Sequence, residues 1–365
     1  MKIKPLYEFD DDHRQEIIRM HLGSSPRGGR VTGPIEGKYG SVYSIDVMPT
    51  LRIAAKCPCI KRFEIAVEAR SAIEKALHEL EKTYQVFMVP WVNRFFDVQF
   101  IHGWPFLLSR YHDGTLQDLI SNPLAWTSSD RIVSLILISR ALHLASKRGI
   151  AAHQDLKPEN IFFDDLSRIR GVPKNSYGMH FHIFVGDLGL ANAFLDFGQN
   201  QGSRPYMAPE QYGREVADPT VSPAFDVFAL SVIACECFLD GKHPSGIITR
   251  DCWPWRKDMP QKWNREKPWR TWSESKDKTL PKPADHFPPG VHDLLLDSLA
   301  VDPSKRPSLC TFEEILWQAL KATDQKTADG LRTNVAHIEG LTSPNVDWPH
   351  MDHQVKQLRN FYSSN

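Results

Sequence analysis

The chain has 365 residues, 41% apolar and 24% charged, with 44 Lys and Arg against 44 Asp and Glu. That neutral balance speaks against a general nucleic-acid or membrane-surface binder, and the composition excludes a disordered or fibrous chain. Met1 to Arg14 carries charges where a secretory signal needs an apolar run, and the apolar stretches around 132–145 and 227–239 are interrupted by Arg140 and Glu236. Six cysteines in so long a chain make no disulfide framework. Cys57/Cys59 and Cys235/Cys237, each one residue apart, read as reduced structural thiols, so a cytoplasmic location is expected.

In chain order, residues 31–60 alternate apolar and polar positions around glycines and read as a hairpin of short strands. From Arg62 to Lys82 the residues Phe63, Ala66, Ala69, Ile73, Leu77 and Leu80 recur at three- and four-residue steps, which predicts a helix with one buried face. Strands are expected over Phe95 to Ile101 and Trp104 to Tyr111, joined by a tight turn at His102-Gly103. After Asp113-Gly114 the pattern becomes helical, with Ser129 or Asp130 as the cap of an apolar helix that stops near Gly149. Strand-like Ile161 to Phe163 and Phe181 to Val185 flank an exposed loop over 164–180. Arg250 to Asp285 holds five of the ten tryptophans and reads as aromatics packed on their own lobe, with partner docking as the alternative. The tail beyond Lys321 shows weak periodicity.

The densest polar cluster is His153-Gln154-Asp155-Leu156-Lys157-Pro158-Glu159-Asn160, followed 27 residues after Asn160 by Asp187-Leu188-Gly189 at the end of an apolar strand. Phosphoryl transfer needs a carboxylate that accepts the proton of the attacking hydroxyl, and oxygen ligands for the cations that neutralise the phosphates. Asp155 suits the first role, Asn160 and Asp187 the second, and Lys157 would stabilise charge on the transferred group.

At these residues the chain resembles the eukaryotic-like Ser/Thr protein kinases, whose catalytic loop reads His-Arg-Asp-Leu-Lys-Pro-Glu-Asn and whose metal motif reads Asp-Phe-Gly. Gly202 to Glu210, ending Met207-Ala208-Pro209-Glu210, looks like the end of a kinase activation segment. Asp226 to Leu230 resembles the helix that anchors the catalytic loop, and Asp302 to Pro307 the motif whose Arg306 pairs with Glu210. The resemblance covers about residues 31–320 and implies an α+β, bilobal fold. Its divisions would be an N-terminal extension (1–30), an N-lobe (31–112), a C-lobe (113–320) with the insert at 250–285, and a tail (321–365). It also implies ATP with Mg2+, or alternatively Mn2+, and a protein substrate bearing Ser or Thr, since Lys157-Pro158-Glu159 resembles the Ser/Thr branch. A stand-alone bacterial type would fit the length.

In the small lobe the resemblance makes Ile35 to Val42 the nucleotide cradle, with Gly37 and Gly40 at the phosphates and Val42 on the adenine. Ile35 stands where the family usually has its first glycine. Ile53-Ala54-Ala55-Lys56 looks like the Val-Ala-Ile-Lys strand, which makes Lys56 the clamp on the α and β phosphates. Its glutamate partner is expected at Glu74, 18 residues on, with Glu68 as runner-up and the remaining glutamates facing solvent. The lobe hinge falls at Arg110 to His112, including Tyr111, with Ser109 guarding the pocket.

Gln154 replaces the family arginine that reads an activation-loop phosphate, and Leu190 to Gln201 holds no Ser, Thr or Tyr. Switching by phosphorylation of that loop is therefore expected to be absent. Leu188 for Phe is conservative, and Ser231 replaces a glycine. The rival readings are a nucleotide-binding pseudokinase or scaffold, and a small-molecule kinase, which lacks an Ala-Pro-Glu segment. A metal site at His180 and His182 is a minor alternative.

Overall fold

The computed structural model describes residues 4–24, 29–37, 40–48, 51–60, 66–168, 178–213, 223–254, 263, 265–282 and 287–341. They form two compact units, one from residues 4–87 and 93–112, the other from 88–92 and 113–341. The class is α+β, as expected.

The first unit is a five-stranded antiparallel sheet in the order β1-β2-β3-β5-β4. Residues 31–60 supply three strands: β1 (Arg30–Glu36), β2 (Gly40–Met48) and β3 (Leu51–Pro58). β4 (Phe95–Ile101) and β5 (Trp104–Arg110) follow, joined at His102 and Gly103, whose φ angles of 48° and 77° suit a tight two-residue hairpin turn. Helix α1 (Asp11–Gly23) is capped by Asp10, which accepts the His13 N–H at 3.0 Å. It belongs to the unit's core, because Ile18 and Leu22, with Leu6 ahead of it, are buried in one cluster with Tyr43, Ile45, Ala55 and Phe106. The second helix, α2, runs Ala66–Gln85; the expected start at Arg62 lies outside the described residues.

The second unit carries a small sheet, β6 (Gly114–Thr115), β7 (Ile161–Asp165) and β8 (Phe181–Val185). Around it are α3 (Leu116–Ser121), α4 (Ser128–Ser146), α5 (Ala193–Asp196), α6 (Pro223–Phe238), α7 (Glu266–Ser273), α8 (Val291–Ser298), α9 (Leu309–Thr323) and α10 (Gln325–Leu341). The cap of α4 is Thr127, two residues before the expected Ser129 and three before the alternative Asp130. Thr127 Oγ1 accepts the Asp130 N–H at 3.2 Å and the Asp130 carboxylate accepts the Thr127 N–H at 2.8 Å, so Asp130 is the reciprocating partner. Apolar on nearly every side, α4 packs against α6, α9 and β8. The described part of the weakly periodic tail carries a helix: α10 buries Ala328, Leu331 and Val335, a stripe too narrow to stand out, and residues 342–365 lie outside the described residues. Arg140 of α4 ties it down, donating to both Glu339 oxygens at 2.5 and 2.6 Å and to Glu313 at 2.7 Å.

Candidate active site

The catalytic loop is shaped by a buried carboxylate. Asp226, near the start of α6, accepts the backbone N–H of His153 at 2.7 Å and of Gln154 at 3.1 Å, which holds the strained turn that Gln154 adopts at φ 71°. Burial raises the Asp226 carboxyl above its ordinary value, against the pull of His153 and the two N–H bonds. His153 reaches the other way, with Nε2 2.9 Å from the Gly186 carbonyl, the residue before Asp187. The loop and the end of β8 are thereby joined, and the Gly186 N–H donates to Asn160 O at 2.8 Å.

Within this frame Asp155 and Asn160 meet, and Asp187 follows directly on Gly186, whose N–H donates to Asn160 O. Asp155 Oδ2 accepts from Lys157 Nζ at 2.9 Å and from Asn160 Nδ2 at 3.3 Å, and Asn160 Nδ2 also donates to the Asp155 carbonyl at 2.9 Å. Asp155 Oδ1 is buried and makes no hydrogen bond among the described residues. Burial opposes the charge on Lys157, but the Asp155 carboxylate overrides it, with Glu159 and Asp187 adding to the field, so the ammonium is held above its ordinary value. Lys157 also donates to Ser203 Oγ at 3.1 Å. The Asn160 amide nitrogen is engaged with Asp155, which leaves the amide oxygen as its remaining acceptor. Asp187 sits in the left-handed region, φ 58° and ψ 66°, which Asp tolerates better than most residues. His180 turns Nδ1 to Asp130 at 3.0 Å, and among the described residues no cluster of three or more His, Cys, Asp or Glu is placed to hold a metal.

In the first unit, strand register gathers the expected nucleotide-binding residues on one face. Lys56 lies opposite Val42 and Leu107, and Ala54 lies opposite Ser44 and Ser109, so Val42, Lys56 and Ser109 share a side of the sheet. Gly40 is required for closeness: a Cβ there would stand 2.6 Å from the Cys57 carbonyl oxygen. The Gly37 N–H donates to Gly40 O at 2.8 Å, while residues 38 and 39 lie outside the described residues. Tyr111 N–H donates to Arg52 O at 3.1 Å, and the Arg52 guanidinium lies over the Tyr111 ring.

The lysine's partner is not Glu74. Lys56 Nζ stands 2.7 Å from Glu79 Oε1, whereas Glu74 and Glu68 are exposed. Five residues along a helix is a rotation of roughly 140°, so Glu79 faces another way from Glu74. Ala76 to Leu80 are all buried, so this half of α2 is enclosed all round, and distance from an apolar stripe ceases to distinguish its glutamates.

Two further working residues, Asn192 and Gln211, carried little signal, whereas the Glu210–Arg306 pair is the one expected. Asn192, left-handed at φ 58°, donates to the Gly149 carbonyl at 2.8 Å and accepts the Ala152 N–H at 3.2 Å, which stitches the stretch after Asp187 to the catalytic loop. Gln211 donates to the Gln154 carbonyl at 3.2 Å. Arg306 grips Glu210 with two bonds of 2.6 and 2.8 Å and also donates to the Ala300, Ala224 and Val301 carbonyls.

A buried carboxylate with a spare oxygen, hard-oxygen donors beside it and a lysine paired to a helix glutamate are the groups that phosphoryl transfer employs. The chain matches the protein kinase domain family across residues 35–319, and it belongs to that family. Serine/threonine-protein kinase ULK3 of Xenopus laevis is 26% identical over 288 residues, 76% of this chain and 52% of that protein. Serine/threonine-protein kinase 1 of Heliothis zea nuclear polyhedrosis virus is 23% identical over 210 residues, 58% of this chain and 67% of the viral one. The interferon-induced, double-stranded RNA-activated protein kinase of Mus musculus is 35% identical over 103 residues, 25% of this chain and 16% of that protein. The chain thus spans about half the length of the frog relative and far less of the mouse one. Among the described residues no helix is long and apolar enough to cross a membrane.

Proposed function

We propose that the chain is a cytoplasmic Ser/Thr protein kinase that moves the γ-phosphoryl group of ATP to a protein hydroxyl, with Asp155 as the base. The observation that carries this is the division of labour on one carboxylate: Oδ2 is fixed by Lys157 and Asn160, and Oδ1 is buried with no hydrogen bond among the described residues. A Ser or Thr hydroxyl directed at Oδ1 gives its proton to the carboxylate as its oxygen bonds to the γ-phosphorus, and the bond from that phosphorus to the β–γ bridging oxygen breaks, releasing ADP. Lys157 steadies the base and the charge shared among the phosphoryl oxygens. When bound, Mg2+ neutralises the phosphates; Asn160 and Asp187 would hold it, and Lys56, oriented by Glu79, would hold the α and β phosphates.

The activation segment supports a kinase that is not switched by phosphorylation of that segment. Gln154, in place of an arginine, donates Nε2–H to the Gln199 and Gln201 carbonyls and accepts the Phe194 N–H at 3.0 Å. A neutral amide meets backbone groups where a phosphate would otherwise be needed. Incubation with labelled ATP and Mg2+ tests both readings. Wild type should label a generic protein acceptor and remain active after phosphatase treatment, and Asp155→Ala should lose at least about 100-fold while still binding ATP. A wild type that binds ATP and labels no protein would leave the pseudokinase reading standing, and activity lost to phosphatase would overturn the unswitched segment.

A further inference from the structure

Residues 4–24 lie ahead of the stretch that matches the kinase family, yet they cover the face of the five-stranded sheet turned away from Lys56. Tyr43 lies opposite Ala55, and Ala55 opposite Leu108; these alternate along their strands with Val42, Lys56 and Leu107 and so share the other face. Leu6, Ile18 and Leu22 are fully buried in one cluster with Tyr43, Ala55 and Leu108, and α2 joins the same cluster through Ala69, Ala72 and Ile73. Polar groups anchor the segment at three further points. The Tyr43 hydroxyl donates to Gln15 Oε1 at 3.1 Å, the Leu6 N–H to His102 O at 3.2 Å, and the Arg19 guanidinium to the Gly33 carbonyl at 3.3 Å.

The informative contact is made by Arg14. Its side chain is only 4% exposed; Nη1 donates to the Ile60 carbonyl at 3.1 Å, 46 residues along the chain, and Nη2 pairs with Asp11. A guanidinium taken out of water is costly unless its donors are satisfied, so the group that satisfies it is held in return. Ile60 lies four residues past Lys56 and two past the end of β3, on the path that leads to α2 and Glu79. Pro58 is held as well: its carbonyl accepts the Trp104 indole N–H at 3.1 Å, and the Tyr7 ring stands edge-on to Trp104 with centroids 6.1 Å apart. The exit from β3 is thus fixed at two carbonyls, one of them by α1. We propose that α1 is a built-in strap for the lysine–glutamate pair: Arg14, by holding Ile60, sets the path from β3 to α2 and with it the meeting of Lys56 and Glu79. Arg14 is a positioning residue, acting through Ile60 rather than on the phosphates. The strap rests on the reading of Lys56 as the lysine that holds the α and β phosphates of ATP, and it makes assembly of the pair a property of the chain's own segment ahead of β1.

The test is a double-mutant cycle in the whole chain. Arg14→Met keeps the aliphatic length and removes the donors, and Glu79→Gln breaks the pair. Alone, Arg14→Met should lower kcat/KM for ATP about three- to tenfold, the worth of one hydrogen bond. In the Glu79→Gln background it should change kcat/KM by less than about twofold, because the pair that it positions is already broken. Hydrogen exchange over residues 66–85 should speed up in Arg14→Met while residues 153–160 stay as in wild type. Equal losses in both backgrounds overturn the strap, since Arg14 then only stabilises its unit; so does unchanged exchange over α2. If Arg14→Met does not fold, Arg14→Lys, whose single ammonium cannot span Asp11 and Ile60 as the planar fork does, goes through the same cycle and decides. If wild type transfers no phosphoryl group at all, the exchange of α2 still reads the strap, and the kinase reading is what has failed.

Discussion

The catalytic loop and the Lys56–Glu79 pair use the same kinds of charged group, but they are assembled over very different distances along the chain. In the loop, Asp155 finds Lys157 two residues on and Asn160 five residues on, and a distant side chain, Asp226, holds the turn at His153 and Gln154 through two backbone N–H groups. In the first unit, Lys56 finds its partner 23 residues away, on the separate element α2. Local spacing can prescribe the first arrangement. The second depends on where α2 begins and on what encloses it.

The largest effect should come from cutting the loop's buried carboxylate anchor. Asp226→Ala strands two buried N–H donors, at about 1–3 kcal/mol each, so a loss of roughly 2–6 kcal/mol in urea unfolding is expected, with phosphoryl transfer falling alongside. A loss below about 1 kcal/mol would mean that the loop holds itself, and would break the contrast. Next comes the pair on α2. A hydrogen bond to a charged group is worth about 1.5–3 kcal/mol, so Glu79→Gln should lower kcat/KM roughly ten- to hundredfold, while Glu74→Gln should stay within about twofold of wild type. The reverse ranking would restore Glu74 as the lysine's partner.

The same contrast explains what could be read from the amino-acid sequence. The α+β class, the strands of the five-stranded sheet and the family were legible because alternation and ordered motifs are local properties. So was the Glu210–Arg306 pair, since both members sit inside motifs. Glu79 was not legible, because an enclosed helix half carries no amphipathic phase, and Thr127 was missed because a capping box places the acid three residues after the true cap. Asn192 and Gln211 act through backbone groups of the catalytic loop, and nothing in their own neighbourhoods advertises such partners.

The smallest effect is the pH dependence of stability set by two buried groups: His243, whose Nε2 stands 3.0 Å from the Pro205 carbonyl, and Glu236, which receives the Tyr206 and Thr249 hydroxyls. His243 has its folded pKa lowered from 6.5 to about 3 by burial, so below about 6.5 the unfolded chain takes up a proton that the folded chain refuses, and stability falls with falling pH. Glu236 has its folded pKa raised from 4.5 to about 8, chiefly by burial, with the Tyr206 and Thr249 hydroxyls opposing and Glu159 adding to the rise. Its contribution is full below about 4.5 and is lost as pH rises toward 8, because the unfolded chain releases its proton first. The two slopes oppose each other between about 4.5 and 6.5, and only the Glu236 slope remains from 6.5 to 8. Glu236→Gln keeps acceptor and donor atoms at that position without a titrating proton. Its unfolding free energy relative to wild type should therefore climb steadily from pH 5 to pH 8, by at most about 1.4 kcal/mol per pH unit, whereas that of His243→Phe should fall relative to wild type up to about pH 6.5 and then level off. A Glu236→Gln difference that is flat with pH would mean that the carboxylate is solvated in the folded chain, and that Tyr206 is held by something other than a buried, protonated acid.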